Sequence, residues 1–436
     1  MKYFITGITG TVVPIIVEEL LKKDDEAFFY FAIRGDSKGN DAQSRFDQLV
    51  DTLDLTRSLK RKLRERSKLV NINIENDKLG IEPAVYQELI TNTDQILHGA
   101  ADVRFDQPYE KIRIPNVVFT KKIYDLYSEI KRYRKNSKKS DVVLYYISTS
   151  YAYGHYKGVT PEDYPNFHPG RPDNTYAKTK AEAKFFILEK IKKHNDKIVI
   201  FEPTIIGGSS RTGKTKTYNL HYIVIMLGYL GKLPLLTAAN NTLDIVPVDW
   251  VAAVISDIMA KNEFHQGVLR LASGSDAVTI QHIHDVAYNY LVSNDPVPGH
   301  VIPKIHFVPR WCFYSIINFQ KYFYRAMYVC TGKARYRKLV KGISLLEGYF
   351  PYITRFKVFE NTRSMELIRR HTDCSNPPML QDILDASGKV IKKGYFEKIL
   401  ADTINTGWGG MIDYERLERK TDEFKKTQAL NAGLQK

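Results

Sequence analysis

The chain has 436 residues, 43% of them hydrophobic and 26% charged, with a formal net charge of +15. That composition is globular, and the length suits one large α/β domain plus a smaller one. No run of 18 or more apolar residues occurs, so no membrane-spanning helix is expected. The three cysteines, Cys312, Cys330 and Cys374, lie far apart without a CxxC pair. They argue against a disulfide framework or a zinc site and fit a reducing, cytoplasmic setting. The N-terminus reads as a strand rather than a signal peptide. The basic surplus calls for an anionic partner: a phosphorylated cofactor, a CoA-type thioester, an acidic membrane surface or nucleic acid.

The first stretch organises the rest. Tyr3-Phe4-Ile5 predicts a short buried strand, Thr6-Gly7-Ile8-Thr9-Gly10-Thr11 a glycine turn, and residues 12–21 an apolar helix. Strand, glycine turn and helix open a dinucleotide-binding βαβ unit. Gly7 permits the tight turn, and Gly10 lets a pyrophosphate approach the backbone at the helix N-terminus. Val13 stands where a third glycine is usual, so a local shift in helix–strand packing is expected. Residues 27–33 are continuously apolar, as in a buried parallel strand. Arg34 follows it. An acid there suits the ribose 2′-hydroxyl of NAD, whereas an arginine suits a 2′-phosphate, so Arg34 points to NADP(H).

Residues 42–68 are charged and helical in pattern, and residues 68–74 alternate as a strand. Residues 94–101 read as another strand and its end, where small Ala100 and Ala101 let a cofactor lie against the backbone. Residues 116–135 read as a helix running into a basic stretch at 131–139. Residues 142–147 form a further apolar run ending in Ser148-Thr149-Ser150, and hydroxyls at that end of a parallel strand sit where such sheets place ligands. A Pro- and Gly-rich loop spans 158–174.

A helix follows to about residue 194, opened by Tyr176-Ala177-Lys178-Thr179-Lys180. Tyr176 and Lys180 are four apart and share a face. An ammonium beside a phenol lowers its pKa from about 10, making Tyr176 a usable proton donor. Strands are predicted at 198–201 and 268–272, with a helix over 251–261. From residue 304 aromatics interleave with basic side chains. That segment is an amphipathic core helix, a substrate-covering lid or a membrane-surface helix. The tail from 413 is charged and helical.

The TGxTG turn, Arg34, His98-x-Ala100-Ala101-x-Val103-x-Phe105, the Ser-Thr-x-x-x-Tyr-Gly end at 148–154 and the YxxxK helix together resemble an extended short-chain dehydrogenase/reductase. The pattern is most similar to the fatty acyl-CoA reductase and thioester reductase branch. Tyr349-Phe350-Pro351-Tyr352 and Phe359-Glu360-Asn361-Thr362-Arg363 are similar to the C-terminal domain of fatty acyl-CoA reductases. The resemblance implies a doubly wound parallel sheet over residues 1–275 and a smaller, mostly helical substrate domain over 276–436, with parts of 207–245 at the substrate site. It implies Thr149, Tyr176 and Lys180 as the catalytic triad. Implied cofactor contacts are Thr6, Gly7, Thr9, Gly10, Thr11, Val12, Arg34, Asn73, Ile74, Gly99, Ala100, Ala101, Tyr176, Lys180, Pro203, Thr204, Ile205 and Ile206. The implied cofactor is NADP(H), and the implied partners are an acyl thioester or aldehyde and CoA or an acyl carrier protein, without nucleic acid. Departures are Val13 and Phe119 for glycines, Asn73 for an aspartate, and Glu202 for an arginine.

Two rivals remain open. Residues 208–215 match the phosphate-loop pattern GxxxxGK[ST], as in a kinase, or form a basic loop over phosphates. A nucleotide-sugar epimerase or dehydratase would use the same triad with bound NAD. A non-catalytic binding protein is set against by the intact Thr149, Tyr176 and Lys180.

Overall fold

In the computed structural model, the apolar runs read above assemble into one seven-stranded sheet. The structure describes residues 1–34, 41–156, 158–162, 170–218, 220–262, 266–384 and 390–433. The turn after Arg34 at 35–37 and the middle of the 158–174 loop lie outside them. The strands are β1 (Lys2–Thr6), β2 (Phe28–Ile33), β3 (Ser67–Asn71), β4 (Gln95–His98), β5 (Val143–Ile147), β6 (Ile198–Pro203) and β7 (Gly267–Leu271). Their order across the sheet is β7-β6-β5-β4-β1-β2-β3, all parallel. The order reverses at β1 and β4, the switch point at which doubly wound sheets bind ligands.

Both faces of the sheet are covered, which is why the strands read as unbroken apolar runs. Phe29, Phe31 and Ile33 join one core layer, and Tyr30 and Ala32 join the other. Burying each Phe or Ile side chain contributes about 1.5–3 kcal/mol. Helix α1 (Val13–Lys23) packs against a later helix that also covers this sheet. Helix α2 (Ala42–Thr52) is capped by Asp41, which accepts the Ser44 N–H at 2.7 Å.

The charged stretch at 42–68 is not one helix. It breaks after α2 and restarts at Arg57–Glu65, because the Thr56 side chain caps a new N-terminus. The strand expected over 68–74 ends at Asn71. Beyond it the Asn73 side chain accepts the Glu75 N–H at 3.0 Å and turns the chain. The helix expected over 116–135 begins earlier, at Tyr109–Arg113, and passes through a π-turn at Ile114–Val118 before α3 (Phe119–Asn136). Pro115 lacks the amide hydrogen an α-turn would use there. Helix α4 (Thr175–His194) starts where the Asn174 side chain accepts the Ala177 N–H at 2.8 Å, and ends at Asn195 in the left-handed region. Helix α5 (Val248–Lys261) is the partner of α1.

The chain divides into two compact units, and the division differs from a single cut near 275. The sheet unit comprises residues 1–206, 244–276 and 357–377; the helical unit comprises 207–243, 277–356 and 378–436. Residues 357–377 rejoin the sheet unit through backbone pairing and burial. Lys357–Phe359 pairs in parallel with Gly158–Thr160, the Ser364 hydroxyl accepts the Arg270 N–H at 2.7 Å, and Met365 and Ile368 enter the core. The helical unit contains α6 (Ile280–Ser293), α7 (Arg310–Thr331) and α8 (Ala334–Glu347). It holds an apolar cavity of about 60 Å³ lined by residues such as Ile225, Leu236, Ile283 and Ile305. Among the described residues, no helix is long and apolar enough to cross a membrane.

The missing third glycine is resolved across the sheet. Val13 keeps its side chain because the facing residue, Gly99, has none: a Cβ on Gly99 would lie 2.5 Å from Val13 Cγ2. Gly99→Ala should therefore destabilise the protein by about 1–3 kcal/mol through overpacking. The Val13→Gly/Gly99→Ala double variant should be more stable than the sum of the two single losses. Urea denaturation of the three variants measures this, and simple additivity would refute the contact.

Candidate active site

The groove at the switch point is built by three strand ends. The β1–β2 and β1–β4 registers pair Thr6 with Ala32 and with His98, so the turns that follow leave the sheet at one level. Gly7 adopts φ +89°, and a Cβ there would sit 2.7 Å from the Ala100 nitrogen. Only glycine fits both the conformation and the space. A cavity of about 440 Å³ opens here, lined by Gly7, Thr9, Gly10, Gly99, Ala100 and Ala101 on its floor, with Arg34 and Ile74 among its other walls. The first turn of α1 carries no acid, so its amide end keeps a positive potential toward an anion.

Several expected contacts take other positions. The Thr6 hydroxyl is buried between His98 Nδ1 at 2.8 Å and the Ala100 N–H at 3.2 Å. It ties β1 to β4. His98 Nε2 meets the Thr120 hydroxyl at 3.0 Å, and burial pushes the imidazole pKa down to about 3, so the ring is neutral. Thr11 and Val12 lie in the turn before α1, where the Val12 carbonyl accepts from Ile16 at 3.1 Å. Asn73 spends its side-chain oxygen on Glu75 and is not a cavity wall, although Ile74 is. Pro203 offers its carbonyl to the Thr149 hydroxyl at 3.3 Å. The Thr204 hydroxyl donates to Asp244 at 2.7 Å, the Ile205 N–H donates to the Asp244 carbonyl at 3.1 Å, and Ile206 packs against the core.

The structure also adds residues that the sequence reading missed. Arg45, on α2, lines the groove beside Arg34, donating to the Arg34 carbonyl and, at 3.4 Å, to the Thr9 hydroxyl. Its only sequence signal is its place in the first turn of a capped helix, which fixes its direction only once the helix is docked. Asn116 sits in the π-turn. Its oxygen accepts the Asp102 N–H at 2.7 Å, and its nitrogen donates to the Asp102 carbonyl at 2.9 Å and the Thr179 hydroxyl at 3.0 Å.

Thr149, Tyr176 and Lys180 come together at the carboxyl end of β5. The Asn174 cap sets Tyr176 in the first turn of α4, near the Thr149 hydroxyl. The Phe105 ring lies 5.6 Å from the Tyr176 ring. Lys180 is buried, with Nζ donating to the Ile147 carbonyl at 2.8 Å and lying 4.5 Å above the Tyr146 ring.

The expected electrostatics are reversed in part. Burial pushes the Tyr176 phenol up to about 12, and only the Thr149 hydrogen bond opposes it. Burial also pulls Lys180 down to about 7, against the attraction of Glu202. Desolvation therefore sets the direction of the Tyr176 shift, and the expected lowering by Lys180 is not found. One turn on, Lys184 pairs with Glu202 at 2.6 Å in full burial, and Arg270 approaches the same carboxylate at 3.8 Å. Glu202, the departure at the end of β6, thus sits among three cations of the sheet unit. Removing one member of such a buried pair costs about 3–5 kcal/mol.

A family model described as male sterility protein, an NAD-binding domain, matches residues 5–255. The chain belongs to this family. That agrees with the extended short-chain dehydrogenase/reductase resemblance read from the sequence. This male sterility family chain is 25% identical to fatty acyl-CoA reductase 1 of Mus musculus over 277 residues, 57% of the chain and 52% of the relative. It thus spans about half the length of that relative. It is 24% identical to fatty acyl-CoA reductase wat of Drosophila melanogaster over 414 residues, 85% of the chain and 78% of the relative. Among solved structures it resembles the terminal R domain of the myxalamid biosynthetic pathway, with a TM-score of 0.68 and 21% identity over 93% of the chain and 91% of that domain. At that identity the likeness establishes the fold.

The GxxxxGK[ST] segment folds in a way that does not suit a phosphate loop. The Gly213 N–H donates to the Ser209 carbonyl at 2.7 Å, the Ser209 N–H donates to the Lys214 carbonyl at 2.9 Å, and the Gly208 N–H donates to the Tyr222 hydroxyl at 2.9 Å. Those amides are turned inward, and the next helix begins only at His221. A phosphate loop needs its amides free and feeds directly into a helix. Titration calorimetry should find no ATP binding, and Lys214→Ala should change nothing. Micromolar ATP affinity would overturn this reading.

Proposed function

We propose that this chain is an NADPH-dependent reductase of an acyl thioester, carried on CoA or a carrier protein, or of an aldehyde, giving an aldehyde or alcohol. The observation that carries this is the grouping of Tyr176, Thr149 and buried Lys180 at the same sheet edge as the glycine-floored groove. The groove of about 440 Å³ at the strand switch point suits a dinucleotide. In this reading Gly7, Thr9 and Gly10 face the pyrophosphate and Ile74 the adenine. Arg34 and Arg45 offer two guanidinium groups to a 2′-phosphate. The bound nicotinamide supplies a hydride to the carbonyl carbon.

The chain's own side chains handle the oxygen. With its pKa pushed up to about 12, Tyr176 keeps its proton at neutral pH and donates it to the forming oxyanion. Thr149 holds that oxygen through its hydroxyl. Lys180 supplies an ammonium near the nicotinamide ribose. A thioester reduced in this way becomes a hemithioacetal, which collapses to aldehyde and free thiol; a second reduction gives the alcohol.

Cofactor choice is tested first. Arg34→Ala should weaken NADPH binding roughly ten- to a hundredfold and leave NADH nearly unchanged, since a charge-assisted contact contributes about 1.5–3 kcal/mol. Arg45→Ala should act in the same direction. Equal losses for both cofactors would refute the assignment, and NAD retained through purification would support an epimerase instead.

The chemistry is tested at Tyr176. Tyr176→Phe should keep the fold and NADPH affinity but slow turnover by about 100- to 10,000-fold. Lys180 loses its charge as pH rises through about 7, so a reaction needing the ammonium should slow over that range. Thr149→Val should lower turnover at unchanged cofactor affinity. Steady-state NADPH oxidation with acyl thioesters and aldehydes reads all three. Retained turnover in Tyr176→Phe would place the proton donor elsewhere.

A further inference from the structure

The aromatic and basic segment expected as core helix, lid or membrane helix is α7 and α8, and its exposure sets it apart from a core helix. A core helix buries a stripe of its surface. Of the 22 residues of α7 only Phe313 and Ile317 are buried, and α8 buries none. The two helices pack on each other, joined at Gly332 in the left-handed region. The outer surface is strongly apolar. Trp311 is 74% exposed, Phe319 70%, Tyr322 68% and Val329 79%, with Phe323 48% exposed beside them. Positions 311, 319, 322, 323, 326 and 329 recur with helical spacing and form one face. At 1.5 Å per residue, α7 carries that face over about 33 Å.

Charge accompanies the aromatics. Eight lysines and arginines lie between 310 and 347 against a single acid, Glu347, and that acid pairs with Lys321. Arg325 borders the apolar face of α7, and exposed Lys338 and Lys341 stand on α8 with 44%-exposed Leu339 between them. Large apolar and aromatic side chains along an exposed helix, bordered by cations, form the pattern of a helix lying in a lipid headgroup layer. Cations beside such a face favour acidic lipids.

We propose that the α7–α8 hairpin docks on the surface of an anionic lipid bilayer, with Trp311, Phe319, Phe323 and Val329 entering the headgroup–acyl boundary and the basic side chains meeting lipid phosphates and carboxylates. This docking is independent of the reductase reading, because none of these residues belongs to the sheet unit.

The test uses the full chain and vesicle co-sedimentation. The protein should sediment with phosphatidylcholine vesicles containing phosphatidylserine, and less so with phosphatidylcholine alone. Added salt should release it. Phe319→Glu/Phe323→Glu should lower partitioning by about tenfold or more on both vesicle types, because it removes the inserted side chains. Lys338→Glu/Lys341→Glu should lower it on the acidic vesicles only. All four positions are exposed, so thermal melts monitored by circular dichroism should match the parent. Absence of sedimentation with acidic vesicles would overturn the proposal. So would equal binding to both vesicle types, or unchanged binding of the Phe319→Glu/Phe323→Glu variant. A concentration-dependent dimer abolished by Phe319→Glu, without vesicle binding, would assign the face to a second copy of the chain and overturn it as well.

Discussion

The site depends on the close approach of two backbone turns with no side chains between them. Gly7 and Gly99 close β1 and β4 at the point where strand order reverses, and neither tolerates a Cβ. Parallel registers running from Ile33–Asn71 on one side to Ile147–Phe201 on the other hold the strand ends level. Strain or slippage at either glycine would move the floor of the groove. It would also move Thr6 and His98, which are bonded to each other and to Ala100 and Thr120.

Burial then sets the chemistry on the adjacent helix. Tyr176, Lys180 and Lys184 lie on one face of α4, and each step along it meets a different answer to desolvation. Tyr176 stays neutral, with a hydroxyl for a partner. Lys180 gives up much of its charge at neutral pH, because a carbonyl and an aromatic face offer less than water does. Lys184, deepest of the three, is balanced by a full carboxylate on Glu202. A sheet-facing carboxylate at the end of β6 therefore belongs to the same arrangement as the two lysines, and Arg270 anchors its far side through the carbonyls of Thr160, Pro161 and Glu360.

The two units use the chain's aromatics in opposite ways. In the sheet unit, rings such as Phe29, Phe31 and Tyr145 stack inside the core. In α7 the stacked pair Phe319 and Phe323 faces outward. Composition alone does not separate these uses, since both segments are rich in Phe and Tyr. The difference lies in the basic side chains interleaved in α7 and absent from β2.

The sequence by itself determined the strands, the glycine turn and the shared helix face of Tyr176 and Lys180, while Thr149 joined them only through the family resemblance. Those features rest on local rules: unbroken apolar runs, glycine's freedom at positive φ, and the four-residue helical repeat. Arg45 was illegible because its direction depends on how α2 docks, and Asn116 because a π-turn rotates it toward Asp102 and Thr179. The compensation of Val13 by Gly99 joins residues 86 positions apart and exists only once β1 and β4 lie side by side. Tertiary structure alone also decided the direction of the Tyr176 shift. Adjacency in sequence suggested a lysine that lowers it, but the water excluded around the phenol raises it, and desolvation is a property of the packed fold rather than of any spacing along the chain.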